Sequence, residues 1–455
     1  MNKMKIFSKS HVLFPSLGLF FLCSFYQVNG QMPLNLKAAM QYAVDNNSSV
    51  IQGKLDEAKG LINVEQLLSS GYPQINGNAQ FVYNPLLQVI FFPDFLNGKP
   101  DDIRPVTIGT HWGTNASIEV TQLVFSPEFR VGLNAAKKAT ELYRSRAEAT
   151  KEELVLQVSK GYYAIQAVKS QKANIQANLF KIKELLKLTK VQVENGLGRT
   201  QDVKQLELTE LILENQLNNL ELQIQQQMVM FKLSLQMPLE TDIILTDTLS
   251  ESSYTLPEVV ALQANYNQRI GLTLIEQNQA LNVINLNRYK ASYWPTANLF
   301  ANVAAQAQPR TFGDFVSSNS WASFSSVGLR LRVPIYDGGL RRTQVETVQI
   351  DIKKGEEDRK QLLSLYEAQF ENAKKTLALN LNNLTPLKRA RSLAEEIYTQ
   401  SQARYQQGLA PLTEILNAET SLRESKNNVL SALFQVRIAE LDLLHANGQL
   451  IKFLQ

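Results

Sequence analysis

The stretch RYQQGLAPLTEILNAETSL, from Arg404 to Leu422, opens a seven-residue repeat that continues for about 20 residues beyond it. Large apolar residues recur at every seventh position, namely Ile415, Leu422, Val429, Val436 and Leu443. Small residues follow three positions after each of them, namely Ala418, Ser425, Ala432, Ala439 and Ala446. Heptads that combine one large and one small seam position are typical of closely packed antiparallel helices. The stretch therefore predicts a helical hairpin that turns at Gly408.

A second copy of this turn lies earlier in the chain, in the stretch ENGLGRTQD at residues 194–202. Gly196 of this copy corresponds to Gly408, at an offset of 212 residues. Further upstream, GYPQINGNAQF at residues 71–81 parallels YWPTANLFANV at residues 293–303. Internal repeats of this kind predict two copies of one structural unit, which we interpret as a helix, two strands, a long helix, a turn and a helix.

This repeat sets the predicted boundaries. The first repeat is expected at residues 31–240, with a helix, strands at 74–84 and 106–125, a long helix at 127–194, a tip turn and a helix at 201–236. A linker at 241–256 leads to the second repeat at 257–447, with a helix, strands at 296–308 and 320–335, a long helix at 339–407, a tip turn and a helix at 411–447. Residues 448–455 form a C-terminal tail. Pro386 lies inside the second long helix, where we expect a local kink or break.

The four predicted strands alternate polar and apolar residues with a period of two. Their polar faces carry Asn76, Asn78, His111, Asn115, Glu119, Asn298 and Asn302. Aromatic residues near the strand ends, namely Phe81, Tyr83, Trp112 and Trp321, suit membrane interfaces. Alternation also fits a soluble sandwich, but an export signal and polar faces rich in Asn and Gln favour strands around a water-filled lumen. Four strands are too few to close a barrel, so several chains must share one.

The first 30 residues resemble a secretory signal peptide. A cationic start is followed by an apolar stretch from Val12 to Tyr26, interrupted by Pro15, and by the cleavage region Val28–Gly30. The stretch is shorter than the ~20 residues that a spanning helix requires, which disfavours the alternative of a membrane anchor. Cys23, the only cysteine, is expected to leave with the leader, because the bulky residue before it does not suit lipid attachment.

Composition and motifs exclude several classes of function. The 455-residue chain is 44% hydrophobic, which excludes intrinsic disorder, and its net charge is +4, which gives no reason to expect a nucleic-acid partner. No P-loop, nucleophile elbow or zinc-binding His pair occurs, and Gly196-Leu197-Gly198 is too short for a dinucleotide site. We therefore expect no enzymatic activity, no catalytic residues, no metal and no cofactor.

The sequence resembles the TolC-like outer-membrane efflux proteins of Gram-negative bacteria. The resemblance covers the chain from about Leu34 to Gly448. It rests on the opening LNLKAAMQYAVDNN at residues 34–47, the two strand entries, the turn VPIYDGGLRR at residues 333–342, and the stretch from Arg404 to Leu422.

The resemblance implies a mixed α and transmembrane β fold. Each chain of a homotrimer gives four strands to a shared twelve-stranded barrel in the outer membrane, which continues into a long periplasmic tunnel of coiled helices. It further implies a passive exit duct in a tripartite efflux or type I secretion system. The implied partners are a periplasmic adaptor, an inner-membrane pump of the RND or ABC type, and outer-membrane lipid.

The resemblance also assigns roles to residues at the two tips. The adaptor-docking residues are Gly196, Leu197, Thr200, Gly408, Leu409 and Thr413. The residues of the pore constriction are Arg199, Asp202, Glu414 and Asn417. Family members often carry a further acid where this chain has Asn417, so the charge of the gate departs from the family pattern.

Two alternative functions remain open from the sequence. The heptads alone also suit an exported periplasmic coiled-coil scaffold, which would have to fold its alternating segments as a soluble sheet. A single-chain porin would need more strands than the sequence offers. The apolar segment from Asn84 to Pro105 is expected at the outer surface, where its Phe91, Phe92 and Phe95 either extend the strands or plug the mouth.

Overall fold

The computed structural model describes residues 32–94, 99–248, 263–316 and 321–454, so the expected leader at residues 1–30 lies outside the described residues. The first half contains β1 Met32–Leu34, α1 Leu36–Asn46, α2 Ser48–Ser69, β2 Gln74–Tyr83, β3 Gln88–Asp94, β4 Lys99–Ile108, β5 Trp112–Phe125, α3 Pro127–Glu194 and α4 Thr200–Leu235. The second half contains β6 Ile243–Leu245, α5 Ile270–Ala291, β7 Thr296–Ala307, β8 Trp321–Arg332, α6 Leu340–Gln406 and α7 Leu412–Ala446.

The two long helices begin with different capping chemistry. At the start of α3 the Ser126 side chain accepts a hydrogen bond from the N–H of Phe129 at 3.1 Å, and Pro127 occupies the first turn. Before α6, Gly338 and Gly339 have φ of 69° and 89°, a backbone conformation that side chains with a Cβ rarely adopt. The carboxylate of Asp337 then accepts from the N–H groups of Gly339 and Arg341, both at 3.1 Å. The first device turns β5 directly into α3, whereas residues 333–339 separate β8 from α6.

A four-stranded antiparallel sheet has the order β2-β5-β7-β8. Its register aligns Asn76 with Glu119, Glu119 with Asn302, and Asn302 with Ser326. Directly paired residues share one face of a sheet, and so do residues two positions apart along a strand. This row and every second row beside it therefore form a polar face across all four strands. Strands β2 and β8 are the edges of the sheet, with no further partner in this chain among the described residues.

The expected strand at residues 106–125 is wrong at its start. Val106 and Ile108 belong to β4, and the chain then turns at Gly109, which has φ of 100°. Only from Trp112 onward does the chain join the four-stranded sheet. β4 instead pairs with β3 as a separate antiparallel hairpin in the apolar segment that follows Tyr83. Phe95 of this segment lies outside the described residues.

Several other boundaries also differ from expectation. The opening helix of the first repeat is two helices, because Asn47 ends α1 and its side chain accepts from the N–H of Ser49 at 2.9 Å to cap α2. The described part of the opening helix of the second repeat begins at Ile270, while residues 249–262 lie outside the described residues. The expected linker contains β6, and the expected tail forms a 3-10 turn at Leu450–Leu454. Helix α6 continues through Pro386.

The helices pack as two hairpins, α3 with α4 and α6 with α7, and α3 also packs on α7. All five large heptad residues of α7, Ile415 to Leu443, are buried, as the large-and-small seam predicts. A second core surrounds Tyr162 and Leu235, both fully buried, and includes residues of the parallel pair β1 and β6. None of the described helices is long and apolar enough to serve as a membrane span.

Candidate functional site

The two tip turns have the same backbone hydrogen bonds. In the first, the N–H of Gly196 donates to the carbonyl of Val193 at 2.9 Å and the N–H of Leu197 donates to that of Gln192 at 2.8 Å. In the second, the same two bonds join Gly408 to Tyr405 and Leu409 to Arg404, at 2.9 and 2.8 Å. This pair of bonds is the Schellman motif, which requires a left-handed residue, and the two glycines have φ of 75° and 72°.

The predicted docking residues lie on the surface of these turns. Leu197 is 82% exposed and Leu409 is 66% exposed, so both side chains are open to contact by a partner. Thr200 begins α4, Thr413 lies in the first turn of α7, and both are exposed. Each tip therefore presents one apolar side chain and one hydroxyl on a fixed backbone.

The four predicted constriction residues lie at the starts of α4 and α7. Glu414 forms an ion pair with Arg404 of its own hairpin at 2.9 Å, and its Oε1 lies 3.4 Å from Ser401 Oγ. Asp202 lies in the first turn of α4, where the helix dipole favours a negative charge. Arg199 and Asn417 are exposed. Among the described residues, no hydrogen bond or ion pair joins any two of these four side chains within one chain.

One contact between the two hairpins was not predicted from the sequence. The Thr189 hydroxyl of α3 lies 3.0 Å from the Tyr405 hydroxyl of α6, and both residues are buried. Thr189 Oγ1 also donates to the carbonyl of Leu185 at 2.9 Å. Its proton is therefore engaged, so Tyr405 is the donor of the bond between the hairpins. Thr189 and Tyr405 each occupy a heptad position of their own helix. That they form a pair can be recognised only once the two helices are aligned.

The structure places the predicted lumen residues on one sheet face, with one exception. Asn76, Asn78, Asn115, Glu119, Asn298 and Asn302 lie on the polar face described above. His111 does not, because it lies in the turn before β5, where its ring Nδ1 is 2.8 Å from the Asn84 carbonyl oxygen. His111 therefore holds the end of a hairpin, and its assignment to a strand face is wrong.

The opposite face of the sheet is apolar and ends in an aromatic cluster. Phe81 and Tyr83 lie with their ring centroids 5.5 and 4.4 Å from Trp112. Phe315, which follows β7, lies 5.0 Å from Phe81, and its carbonyl accepts from the Trp321 indole N–H at 2.9 Å. Aromatic residues gathered at one level of an apolar strand surface are typical of membrane interfaces.

Residues 259–449 match the family model described as outer membrane efflux protein. The chain is also 21% identical to the outer membrane protein TolC of Salmonella enteritidis, over 91% of this chain and 82% of that protein. The second half of this chain thus resembles the outer membrane efflux protein family. The resemblance found in the sequence is thereby confirmed, and with it the location in the Gram-negative outer membrane, with extension into the periplasm.

Solved structures share the fold of this chain. The outer membrane protein VceC of Vibrio cholerae has a TM-score of 0.70 at 15% identity, covering 91% of this chain and 96% of that one. The MtrE outer membrane channel of Neisseria gonorrhoeae, in its open state, has a TM-score of 0.71 at 15% identity, covering 91% and 88%. Both support the arrangement of long helices joined to a β domain.

Among the described residues, three carboxylates are buried in the helices of this chain. Glu440 forms an ion pair with Arg437 at 2.8 Å. Glu419 lies 3.5 Å from Arg423, and burial raises the pKa of Glu419 while the Arg423 charge lowers it. Burial likewise raises the pKa of Glu152. Within the described ranges no group of three or more His, Cys, Asp or Glu residues has the geometry to hold a metal ion.

Proposed function

We propose that this efflux protein is a passive exit duct made of three chains. Each chain contributes four strands to a shared twelve-stranded barrel, and the helical hairpins form the periplasmic tunnel. The single observation that carries this proposal is a pair of unpartnered apolar seams on α4 and α6, the outer helices of the two hairpins, which suit each other in neighbouring chains.

The two seams have the spacing of coiled-coil positions. On α4 the exposed residues Leu208, Leu222 and Val229 lie multiples of seven apart. On α6 the exposed residues Leu365 and Leu379 lie fourteen apart, and Leu393 continues the series. An apolar stripe at heptad spacing is normally buried against another helix. Such stripes on the outer helices support pairing between copies of the chain.

The seams also lie at the same height along the tunnel. Lys183 of α3 forms ion pairs with Glu210 and Glu214, which places Ile212 of α4 beside it. Lys181, half a turn away on α3, lies 4.8 Å from the ring centroid of Tyr398, which places Ile397 of α6 at the same level. Because α4 of one chain and α6 of the next run antiparallel, a ring of chains brings these two isoleucines within about one helical turn of each other.

The sheet supports the same arrangement. Its edges, β2 and β8, present unpaired backbone groups, which are too costly to leave exposed in lipid. Pairing β8 of one chain with β2 of the next satisfies both edges at once and closes a barrel. In that barrel the polar face turns to the lumen and the apolar face with its aromatic cluster turns to lipid.

The remaining parts of the proposal concern the partners. The exposed Leu197 and Leu409 provide apolar contacts on rigid turns, and we assign them to a periplasmic adaptor whose docking opens the tips. The tunnel has no nucleotide site among the motifs of its sequence, so transport is driven by an inner-membrane pump of the RND or ABC type. The exit duct itself carries no catalytic step.

Paired cysteines test the shared ring directly. The only cysteine of the chain is Cys23, inside the expected leader, so engineered thiols report without a background. We expect the Ile212→Cys/Ile397→Cys double variant, oxidised in detergent, to run as a covalent trimer without reductant, and each single variant as a monomer. The control pair Ile212→Cys/Leu365→Cys separates the thiols by roughly 48 Å of α6 and should not cross-link. A chain that is soluble without detergent and remains uncross-linked would instead indicate an exported coiled-coil scaffold.

A further inference from the structure

The polar sheet face carries an uneven distribution of charge. Its charged side chains among the described strand residues are Glu119 on β5 and two arginines, Arg330 and Arg332, on β8. The register places Arg330 opposite Asn298 and Arg332 opposite Thr296, the first residue of β7. Both arginines therefore lie at the end of the sheet that leads into the helices.

Neither arginine is neutralised by an acid among the described residues of the chain. Both are exposed, and among the described residues neither forms an ion pair with a carboxylate. The acid nearest in sequence, Asp337, is engaged by Arg341 at 3.1 Å and by the backbone of the turn. Glu119 pairs in register with Asn302, four residues along β7 from Asn298, which is about 13 Å. At physiological salt that distance exceeds the Debye length, so Glu119 leaves most of the positive potential in place.

A local packing device holds one of the two guanidinium groups in position. The guanidinium of Arg330 lies 5.0 Å from the centroid of the Phe300 ring, a distance typical of a cation–π contact. Phe300 reaches this place across Gly328, because a Cβ there would lie 2.9 Å from the tip of the ring. The absence of a side chain at position 328 thus lets an aromatic ring support a charge on the polar face.

We infer that Arg330 and Arg332 form a positively charged belt at the inner end of the barrel lumen, which favours the passage of anionic solutes. This inference rests on the proposed trimer, in which the polar face lines the lumen and the belt is repeated by each chain. The supported guanidinium beside an aromatic ring suits organic anions, because their charge meets Arg330 while their apolar part contacts Phe300.

The test measures the local potential with charged thiol reagents. A cysteine at position 298 faces the belt, and a cysteine at 306 lies on the same face eight residues away, roughly 26 Å along β7. The purified trimer is treated with an anionic and a cationic methanethiosulfonate, and the ratio of the two rates is recorded. We expect the ratio of the anionic to the cationic rate at Asn298→Cys to fall on the order of three- to tenfold in the Arg330→Gln/Arg332→Gln background. The ratio at Gln306→Cys should remain unchanged.

Failure of the inference and failure of the proposed function give different results. If Asn298→Cys reacts with both reagents but its rate ratio is the same with and without the arginines, the belt does not set the local potential and the inference is wrong. If Asn298→Cys is unreactive while Val303→Cys, on the apolar face, reacts readily with both reagents, the polar face does not line a lumen. That second result overturns the proposed barrel together with the belt.

Discussion

The Tyr405 hydroxyl on α6 lies 3.0 Å from Thr189 Oγ1 on α3, so one buried hydrogen bond joins the two hairpins within about two helical turns of their tips. The packing around Tyr405 is apolar, with Leu186, Leu412 and Ile415 in the same cluster. A hydrogen bond in such surroundings has no water to replace it when it breaks. Separation of the two tips must therefore break this bond.

Removal of this hydroxyl should make the tips easier to separate. Tyr405→Phe keeps the ring and removes the donor, while Thr189 keeps its bond to Leu185. A net loss of about 1 kcal/mol corresponds to an open population that is about fivefold larger. Single-channel recording in planar bilayers measures it. Tyr398→Phe, one heptad earlier on α6, is the matched control, and an equal rise in open time in both variants would contradict a specific role for Tyr405.

The ion pair between Arg404 and Glu414 should contribute less to keeping the tips closed than the Tyr405 hydrogen bond does. Its side chains are 57% and 34% exposed, and exposed pairs contribute about 0.2–1 kcal/mol. We expect Glu414→Gln to raise the open time by less than Tyr405→Phe, and high salt to remove the difference from the wild type. The charge-swapped variant Arg404→Glu/Glu414→Arg should recover most of the effect. No recovery in the swap would assign Glu414 to a contact with a neighbouring chain.

Much of this architecture was predictable, because the repeat imposes the same local rule twice. Gly196 and Gly408 lie 212 residues apart and adopt the same left-handed turn, so the tips could be predicted from one motif. The heptads of α7 likewise predicted its buried side. The predictions that failed were those made where a regular pattern is interrupted. Val106 and Ile108 continue the alternation of β5 but belong to another strand, since Gly109 at φ of 100° changes the direction of the chain.

The contacts of the candidate site were harder to predict from the sequence, for a different reason. Tyr405 and Thr189 are 216 residues apart, and their contact depends on how two helices are aligned, which no local pattern encodes. The two arginines of β8 were visible in the sequence as members of an alternating strand. That no carboxylate among the described residues neutralises them became apparent only from the register of the four strands. Local chemistry was thus predictable, whereas partnership between distant residues was not.

A stability prediction concerns the junction between the N-terminal strand and α3. The Tyr162 hydroxyl is 2.9 Å from Asp247 Oδ2 and 3.1 Å from the Leu34 carbonyl oxygen, and the residue is fully buried. Burial raises the pKa of Tyr162 to about 12, so the hydroxyl keeps its proton throughout the accessible pH range. Tyr162→Phe should destabilise the protein by about 1–3 kcal/mol, measured by thermal unfolding in detergent. The neighbouring Tyr163→Phe is the control, and equal losses in both would contradict the role of the Asp247 contact.

Buried Glu419 predicts a pH dependence of stability. Because burial raises its pKa in the folded state, the folded chain holds this proton to a higher pH than the unfolded chain does. Stability is therefore complete below the unfolded pKa, about 4.3, and decreases as the pH rises through the folded value. Glu419→Gln should flatten the unfolding temperature between pH 4 and 8, whereas the exposed Glu424→Gln should not. A wild-type curve that rises over this range and is unaffected by Glu419→Gln would contradict the prediction.

The two exposed tip leucines should decide whether the duct engages an adaptor. Leu197→Ser/Leu409→Ser leaves the glycine turns and their backbone bonds intact, and removes the apolar contact from both tips. We expect at least a tenfold smaller fraction of the channel in adaptor complexes after chemical cross-linking in cells, with an unchanged trimer in detergent. A loss of about 1.4 kcal/mol in binding is sufficient for such a change, and burial of a leucine contributes ~1.5–3 kcal/mol. Leu86→Ser, which removes a leucine 90% exposed beside the strands, is the matched control. An undiminished complex in the double variant would place the adaptor contact on the sides of the helices, because the leucines would then contribute nothing to docking.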